Sequence, residues 1–474
     1  MKYFILFLFS IVLLTACGRK KDKNKNHLPS HLQEVIERGK LRAVTDYNSI
    51  NYFIYRGTPM GYQYELLKEL ADHLGVELEL KVADGLEDSF KMLENGKTDL
   101  LAFNLTITKE RSERIDFTVP ILQTHQVLVQ KKPENWRKLT KEEMNIGIIR
   151  NQLNLAGETI YVQENSSHAQ RLKNLSEEIG NRINIIEVPM VVEELIKLVA
   201  KGNIKYTICD ENVAKVNKTY YPNIDVQTAI SFPQHIAWAV DKNSNEFLNI
   251  VNHWLLDFKK TLKYKLIYNK YFKNRKSVIR VKSNYYTIAS GKISPYDQLF
   301  KKYSKIMGWD WRLYASMIYQ ESRFNPNVKS WAGAFGIAQL MPETAVRYNV
   351  TIESPVTSQL WASAKFIKWL DLKLKNKIAD EEERIKFILG AYNVGLGHIL
   401  DARQLAKKYG KDPQIWDENV AFFLLNKSKP AFYKDPVVRY GYCRGEEPYN
   451  YVNEILKRFD HYKNIIEEQK EQAE

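Results

Sequence analysis

The sequence predicts a multidomain chain in which a two-lobed α/β part is followed by a mainly α domain, and three observations lead there. The 474 residues are 44% apolar and 12% aromatic, enough to bury more than one core. From Gly39 to about Arg275 strand-like alternation and helical periodicity take turns, and a break near Lys131-Pro133 with a return near Phe232 divides this part into two lobes, the second inserted in the first. Beyond Ser294 the apolar residues recur three and four apart, as in helices.

Taken in order, Met1 to Ala16 carries one Lys and an apolar run from Tyr3 to Leu14, too short for a stable span and typical of a signal peptide. Leu14-Thr15-Ala16-Cys17 resembles a bacterial lipobox, which implies cleavage before Cys17, lipidation of its sulfur and anchoring in a membrane of the cell envelope, the outer membrane by expectation. Residues 17–38 then read as the lipidated Cys and a basic, polar tether.

Residues 39–275 form the α/β part, with the inserted lobe at about 133–231. Leu41 to Thr45 is expected as a strand, Leu67, Leu70, Ala71 and Leu74 as one face of a helix, and Leu78, Leu80 and Val82 as a strand. Leu86, Phe90 and Leu93 mark a helix stopped by Gly96, and Asp99 to Phe103 a buried strand. Ile146 to Ile149 restarts the strand pattern, and Val192 to Asp210 repeats helix, Gly202, strand. Residues 276–293 are a basic linker, 294–466 the α domain and 467–474 a solvated tail. Within the α domain, Leu360, Ile367, Leu370 and Leu374 mark one helical face, Ile385, Ile388, Leu389 and Tyr392 another, and Lys407 to Asp435 reads as a cleft-side insertion.

The stretch from Trp311 to Pro342 carries the chemistry. Leu313, Tyr314, Met317, Ile318 and Glu321 fall three or four apart, which puts a carboxylate on the apolar face of a helix. Asn325-Pro326 and the Gly333/Gly336 pair break the helix just afterwards, so Glu321 lies near a loop that a cleft can reach. Desolvation there disfavours the charged form and raises the pKa toward that of a general acid. A buried Glu paired with Arg323 or a backbone amide is the other reading. From Ser322 to Pro342 there is no further Asp or Glu, whereas ordinary glycosidases bring two carboxylates to the bond.

Glu321-Ser322, Gly336 to Pro342 (GIAQLMP), Ala391-Tyr392-Asn393 with Gly395 and Gly397, and Glu447 to Val452 (EPYNYV) occur in that order. Together they resemble the soluble-lytic-transglycosylase catalytic domain, a goose-lysozyme-like α fold acting on peptidoglycan. The resemblance implies that Glu321 protonates the MurNAc–GlcNAc glycosidic oxygen, that the substrate's 2-acetamido group stabilises C1, and that Glu321 then deprotonates the MurNAc 6-hydroxyl as it closes onto C1. It also implies that Ser322 and Gln339 line the cleft, that Tyr392 hydrogen-bonds near the acid, that Asn393 holds the loop, and that Glu447 and Tyr451 belong to the substrate site. Ala338 departs from the family, which often has Met at this sugar-contacting position.

The α/β part contains GYQYELLKELADHLGVELEL, NGKTDLLAFNLTITKERSERIDFTVPIL and YTICDENVA, which resemble the family 3 periplasmic solute-binding proteins. That resemblance implies a two-lobed periplasmic-binding-protein fold and an amino acid or muropeptide ligand. Arg111 would grip its α-carboxylate, a planar group suited to a bidentate guanidinium, and Asp210 would take its α-amino group. Asp46 and Tyr52 would lie at the cleft mouth, and Asn104 to Thr106 would supply backbone contacts. Surface ion pairing is the alternative for Arg111 and Asp210.

A net charge of +14 suits anionic peptidoglycan or membrane head groups. Nucleic acid is set aside because an exported chain does not meet it and no helix-turn-helix or zinc-finger spacing appears. The nine His show no metal-ligand spacing, and no cofactor motif stands out. The expected function is a peptidoglycan lytic transglycosylase with a module that regulates or localises it; a hydrolytic lysozyme and an inactive binding lipoprotein are the alternatives.

Overall fold

The computed structural model describes residues 30–83, 85–273 and 292–465. The leader, Cys17, the tether up to residue 29, nearly all of the expected linker and the tail lie outside the described residues. The end of the expected tether is instead a helix, Ser30–Arg38. Leu32 and Val35, three apart, bury one face of it, and His31 and Arg38 both reach the buried carboxylate of Asp99. Burial works to raise the pKa of Asp99, but hydrogen bonds from His31 and Arg42 outweigh it and hold the group at about 2.

The strands of the first lobe are β1 (Lys40–Thr45), β2 (Phe53–Tyr55), β3 (Thr58–Met60), β4 (Glu77–Val82), β5 (Leu100–Thr106), β6 (Ile115–Phe117) and β7 (Leu122–Thr124). Then follow β8 (Gln126–Lys131), β9 (Thr159–Gln163), β10 (Asn184–Val188), β11 (Tyr206–Asp210), β12 (Ile224–Ala229) and β13 (Gln234–Asp241). The first sheet runs β4-β1-β5-β13-β6, with β1 parallel to β4 and β5 and with β13 antiparallel to β5, β6 and β7. The second runs β10-β9-β11-β8-β12, with β8 antiparallel to both neighbours.

Two sequence expectations need correction here. Because β8 belongs to the second sheet, the chain changes lobes between Thr124 and Gln126 and not at Lys131-Pro133; Pro133, which cannot donate to a ladder, follows the end of a strand that lies wholly in the second lobe. The stretch Ile146–Ile149 is no strand. A helix, Lys141–Ile146, opens on a Thr140/Glu143 capping box, and the backbone of Ile149 is satisfied by the side chain of Gln130, which both accepts and donates at 2.8 Å.

The α domain packs its helices, among them Asp297–Met307, Trp311–Ser322, Val356–Leu374, Glu381–Val394, Leu396–Lys408 and Glu446–Ile465, around one core. Residues 407–435 are not a cleft-side insertion throughout, because Trp416 is fully buried against Phe387 with ring centroids 5.2 Å apart. Gly390 makes room for it, since an added Cβ would lie 2.8 Å from the Trp416 ring.

The two domains meet at the β2–β3 hairpin. Its two-residue turn has positive φ at both Arg56 (50°) and Gly57 (74°). The tip presses on the catalytic domain so closely that a Cβ on Gly57 would stand 2.4 Å from the Tyr319 ring. Thr58 and Tyr319 join hydroxyls at 2.6 Å, and the Tyr462 hydroxyl donates to the Gly57 carbonyl at 2.9 Å. Tyr52, expected at the cleft mouth, is fully buried instead and bonds His461 Nδ1 at 2.6 Å, so its ring fills the interior and its hydroxyl serves this interface. Burial, helped by Arg458 and Lys68, lowers the His461 pKa to about 4. The imidazole is therefore neutral at pH 7.

Candidate active site and ligand cleft

Glu321 sits in the last turn of the helix Trp311–Ser322, at the end of the face that Leu313, Tyr314, Met317 and Ile318 bury. The helix stops there because Arg323 and then Phe324 take left-handed backbone angles (φ 51° and 62°), conformations that cost about 1–3 kcal/mol each in non-glycine residues. Phe324 is held by Phe300 and Tyr319, with centroids 5.8 and 5.5 Å away. The chain thus turns away immediately after the acid.

The partner of Glu321 is neither Arg323 nor a backbone amide. Tyr451, from the helix Glu446–Ile465, donates its hydroxyl to Glu321 Oε1. Burial pushes the carboxyl from an ordinary 4.5 up to about 8; the Tyr451 bond pulls the other way, and the charge of Glu447 adds to the rise. Glu447 and Tyr451 are four apart, hence on one helix face. At neutral pH most Glu321 side chains carry a proton, and Oε2 receives no hydrogen bond among the described residues.

The loop of Gly336 to Leu340 is held by groups that the motifs only partly reveal. The Tyr392 hydroxyl donates to the Ala338 carbonyl at 2.8 Å. Gln339 (φ 44°) turns its amide back to the carbonyls of Val328 and Gly336, at 3.0 and 2.8 Å. Ser322 is buried and its hydroxyl returns to the Ile318 carbonyl. Ala338 is 1% exposed, so its methyl group lies in the core. Asn393 lies half-buried in the last turn of its helix, with no side-chain hydrogen bond among the described residues. Sequence reading missed Gln359, whose Oε1 accepts from Ile337 N at 2.9 Å and whose Nε2 donates to the Ser354 carbonyl at 2.8 Å. Gly336 (φ 76°) is required beneath it, because a Cβ would lie 2.0 Å from Gln359 Oε1.

Between the lobes lies a cavity of about 260 Å³. Asp46, Asn104, Arg111 and Asp210 line it; Tyr52 does not. Arg111 follows the Thr108 cap and donates to the Thr106 carbonyl at 3.2 Å. Asp210 ends β11, is 6% exposed, and its Oδ1 has no hydrogen-bond partner among the described residues. Asn104 accepts from Gln63 at 3.1 Å, and the Thr106 hydroxyl meets Ser167 of the other lobe at 3.3 Å. Glu193 and His168 also line the cavity, and sequence reading missed both: Glu193 reads as an ordinary first-turn helix acid in VVEELIKL.

Comparison with known proteins identifies both parts of the chain. The family of bacterial extracellular solute-binding proteins, family 3, matches residues 41–274, and the transglycosylase SLT domain matches residues 298–415. The chain is 32% identical over 434 residues to a membrane-bound lytic murein transglycosylase F from Desulfosudis oleivorans, covering 90% of this chain and 91% of that one. This chain belongs to the membrane-bound lytic murein transglycosylase F family. Another member, from Pseudomonas fluorescens, is 32% identical over 455 residues, covering 95% of this chain and 88% of its own. The solved structure of an ancestral amino acid-binding protein, AncCDT-1, a precursor of cyclohexadienyl dehydratase, is 26% identical, covers 52% of this chain and 100% of its own, and has a TM-score of 0.44. The family's two parts are thus a two-lobed solute-binding module and a helical SLT domain carrying Glu321.

The raised pKa of Glu321 has a consequence for stability. A carboxyl whose folded pKa lies above its unfolded value leaves the fold most stable below about 4.5, and stability is lost as the pH rises through about 8. Glu321→Gln, which cannot ionise, is expected to be more stable than the wild type by about 3–5 kcal/mol near pH 9 and by almost nothing near pH 4. Thermal melts at the two pH values check this, and an equal difference at both would refute it.

Proposed function

We propose that this lytic transglycosylase cleaves the MurNAc–GlcNAc bond of peptidoglycan with Glu321 acting first as acid and then as base, leaving 1,6-anhydroMurNAc ends. The observation that carries the reading is the geometry of the Glu321 carboxyl, with Oε1 occupied by Tyr451 and Oε2 left for substrate, in surroundings whose burial raises its pKa to about 8. The Oε2 proton passes to the glycosidic oxygen as the C1–O bond breaks, and the 2-acetamido oxygen of the same sugar bonds to C1. The Glu321 carboxylate then takes the proton of the 6-hydroxyl while O6 bonds to C1 and displaces the acetamido oxygen. Water is not consumed, and the second carboxylate of an ordinary glycosidase is not needed. Tyr451 positions the acid throughout, Tyr392 fixes the Ala338 carbonyl, and Ser322, Gln339, Asn393 and Glu447 would form the substrate site.

The solute-binding module would hold the α-carboxylate of an amino acid or muropeptide on Arg111 and its α-ammonium on Asp210, and regulate or localise the enzyme. The helix Glu446–Ile465 supports regulation because it supplies Tyr451 to Glu321 near one end and His461 and Tyr462 to the first lobe near the other. A ligand that favours one arrangement of the lobes can bias this contact only through differential affinity for the two states. The chain would be tethered to the envelope through lipidated Cys17; no described helix is long and apolar enough to cross a membrane.

Four measurements check these readings. Glu321→Gln should lower cleavage of purified peptidoglycan by at least about 10²–10⁴-fold in a preparation that still folds, and mass spectrometry of wild-type products should find anhydro ends. Reducing ends would make the enzyme a hydrolase. Cys17→Ser should abolish incorporation of a labelled fatty acid; persistent labelling would sink the anchor. A ligand of the module should change the cleavage rate of the whole chain by about 5–150-fold if it regulates, and an unchanged rate would leave localisation as its role.

A further inference from the structure

The catalytic domain holds a buried charge cluster that the chemistry at Glu321 does not use. Lys427 has no exposed side-chain surface, and its Nζ donates to Asp401 Oδ2 at 2.6 Å and to His398 Nδ1 at 2.8 Å. Asp401, itself 2% exposed, also accepts from the backbone amides of Arg439 and Tyr440, at 2.9 and 2.8 Å. One carboxylate thus ties the chain at Arg439 and Tyr440 to the helix Leu396–Lys408 and aims the ammonium at the imidazole. Packing alone does not call for such a group, since apolar residues of similar volume often serve a core as well as a buried ion pair does. The cluster borders the acid: the charge of Glu447 acts on both Glu321 and Cys443, and that of Lys427 acts on Cys443 as well. His398 lies in the first turn of its helix, just across the Gly395 turn from Tyr392 and Asn393.

What the cluster fixes is a single atom. An ammonium only donates, so Nδ1 of His398 turns its lone pair to Lys427 and the ring proton sits on Nε2. Nε2 makes no hydrogen bond among the described residues, and the ring is half-buried. Burial and the Lys427 charge both lower the His398 pKa, so the imidazole is a neutral donor at pH 7 and not a cation suited to a carboxylate. The Tyr440 ring stands beside it with centroids 6.3 Å apart and is 58% exposed. It lies over Gly397, where a Cβ would come within 2.5 Å of the ring, so this glycine makes room for the aromatic. An exposed ring face next to a fixed neutral N–H matches an N-acetylated sugar, whose apolar face packs on the ring while its amide carbonyl accepts.

We propose that His398 and Tyr440 are positioning residues for one acetamido sugar of the glycan strand, with the His398 Nε2–H donating to the acetamido carbonyl and the Tyr440 ring under the sugar. This role rests on the reading of Glu321 as the acid. Lys427 and Asp401 then hold the donor in place, and contact made away from the broken bond sets the register of the strand against Glu321.

Steady-state cleavage of soluble, uncross-linked peptidoglycan by the full chain in detergent tests this. Intact strands are compared with strands whose GlcNAc residues alone are deacetylated, which leaves the MurNAc acetamido group of the reaction in place. The wild type is expected to show a KM about five- to tenfold lower on the acetylated strands, the scale of one hydrogen bond. His398→Asn offers Lys427 an oxygen near the Nδ1 position but no donor at Nε2. It should erase that difference with kcat changed by less than about threefold, the mark of a contact made equally in ground and transition states. His398→Gln, whose amide reaches the Nε2 position, should keep the difference, whereas a purely structural role for His398 reverses the order of the two variants. Tyr440→Ala, at an exposed side chain, should raise KM on both strands and decides the matter if the Asn variant does not fold; an unchanged KM overturns the proposal. A wild type that treats the two strands alike overturns it and leaves the catalytic reading intact, as does a preference retained in folded His398→Asn. If the His398→Asn penalty disappears on strands stripped of peptide, the donor serves a stem carboxylate and the proposal is wrong. A wild type that cuts neither strand refutes the Glu321 reading, and this role falls with it.

Discussion

The catalytic domain depends on keeping one carboxyl group out of water and still within reach of substrate. Burial alone could hold Glu321 neutral, but an unanchored acid on the last turn of a helix would have no fixed direction. The Tyr451 hydroxyl supplies that direction by occupying one oxygen, and Glu447 one turn earlier offsets the acidifying effect of that bond. The strained pair Arg323 and Phe324 then removes the backbone from the space beyond. Each device is local, and each acts on the same two oxygen atoms.

The loop that carries Ala338 and Gln339 is held in a different way. Its backbone amides and carbonyls are answered by side chains: Gln359 to Ile337, Gln339 to Val328 and Gly336, and Tyr392 to Ala338. Such contacts satisfy buried backbone groups that no ladder or helix can serve. Of the expected cleft-lining residues, Gln339 spends its side chain on this work, and Ser322 returns its hydroxyl to Ile318 within its own helix.

Much of this was legible in the sequence, because periodicity reports which face is buried. The apolar spacing that brings Leu313 to Ile318 into the core also places Glu321 among them, and the alternation in Leu78 to Val82 marks β4. What could not be read depends on partners distant in the chain. Gln130 completing the backbone of Ile149, Gln359 beneath Gly336 and Tyr52 meeting His461 are each set by tertiary packing, for which a local pattern carries no signal. The lobe boundary was misplaced for the same reason: strand β8 has the composition of either sheet, and only its pairing with β11 and β12 says which one it joins.

The helix Glu446–Ile465 gives the chain an order of maturation. Domains of a growing or translocating polypeptide form roughly as they emerge, and the group that orients Glu321 is on the last described helix, together with the side chains that clasp the hairpin of the first lobe. A chain stopped short of this helix has its acid in sequence but not in position, and its two domains lack their shared clasp.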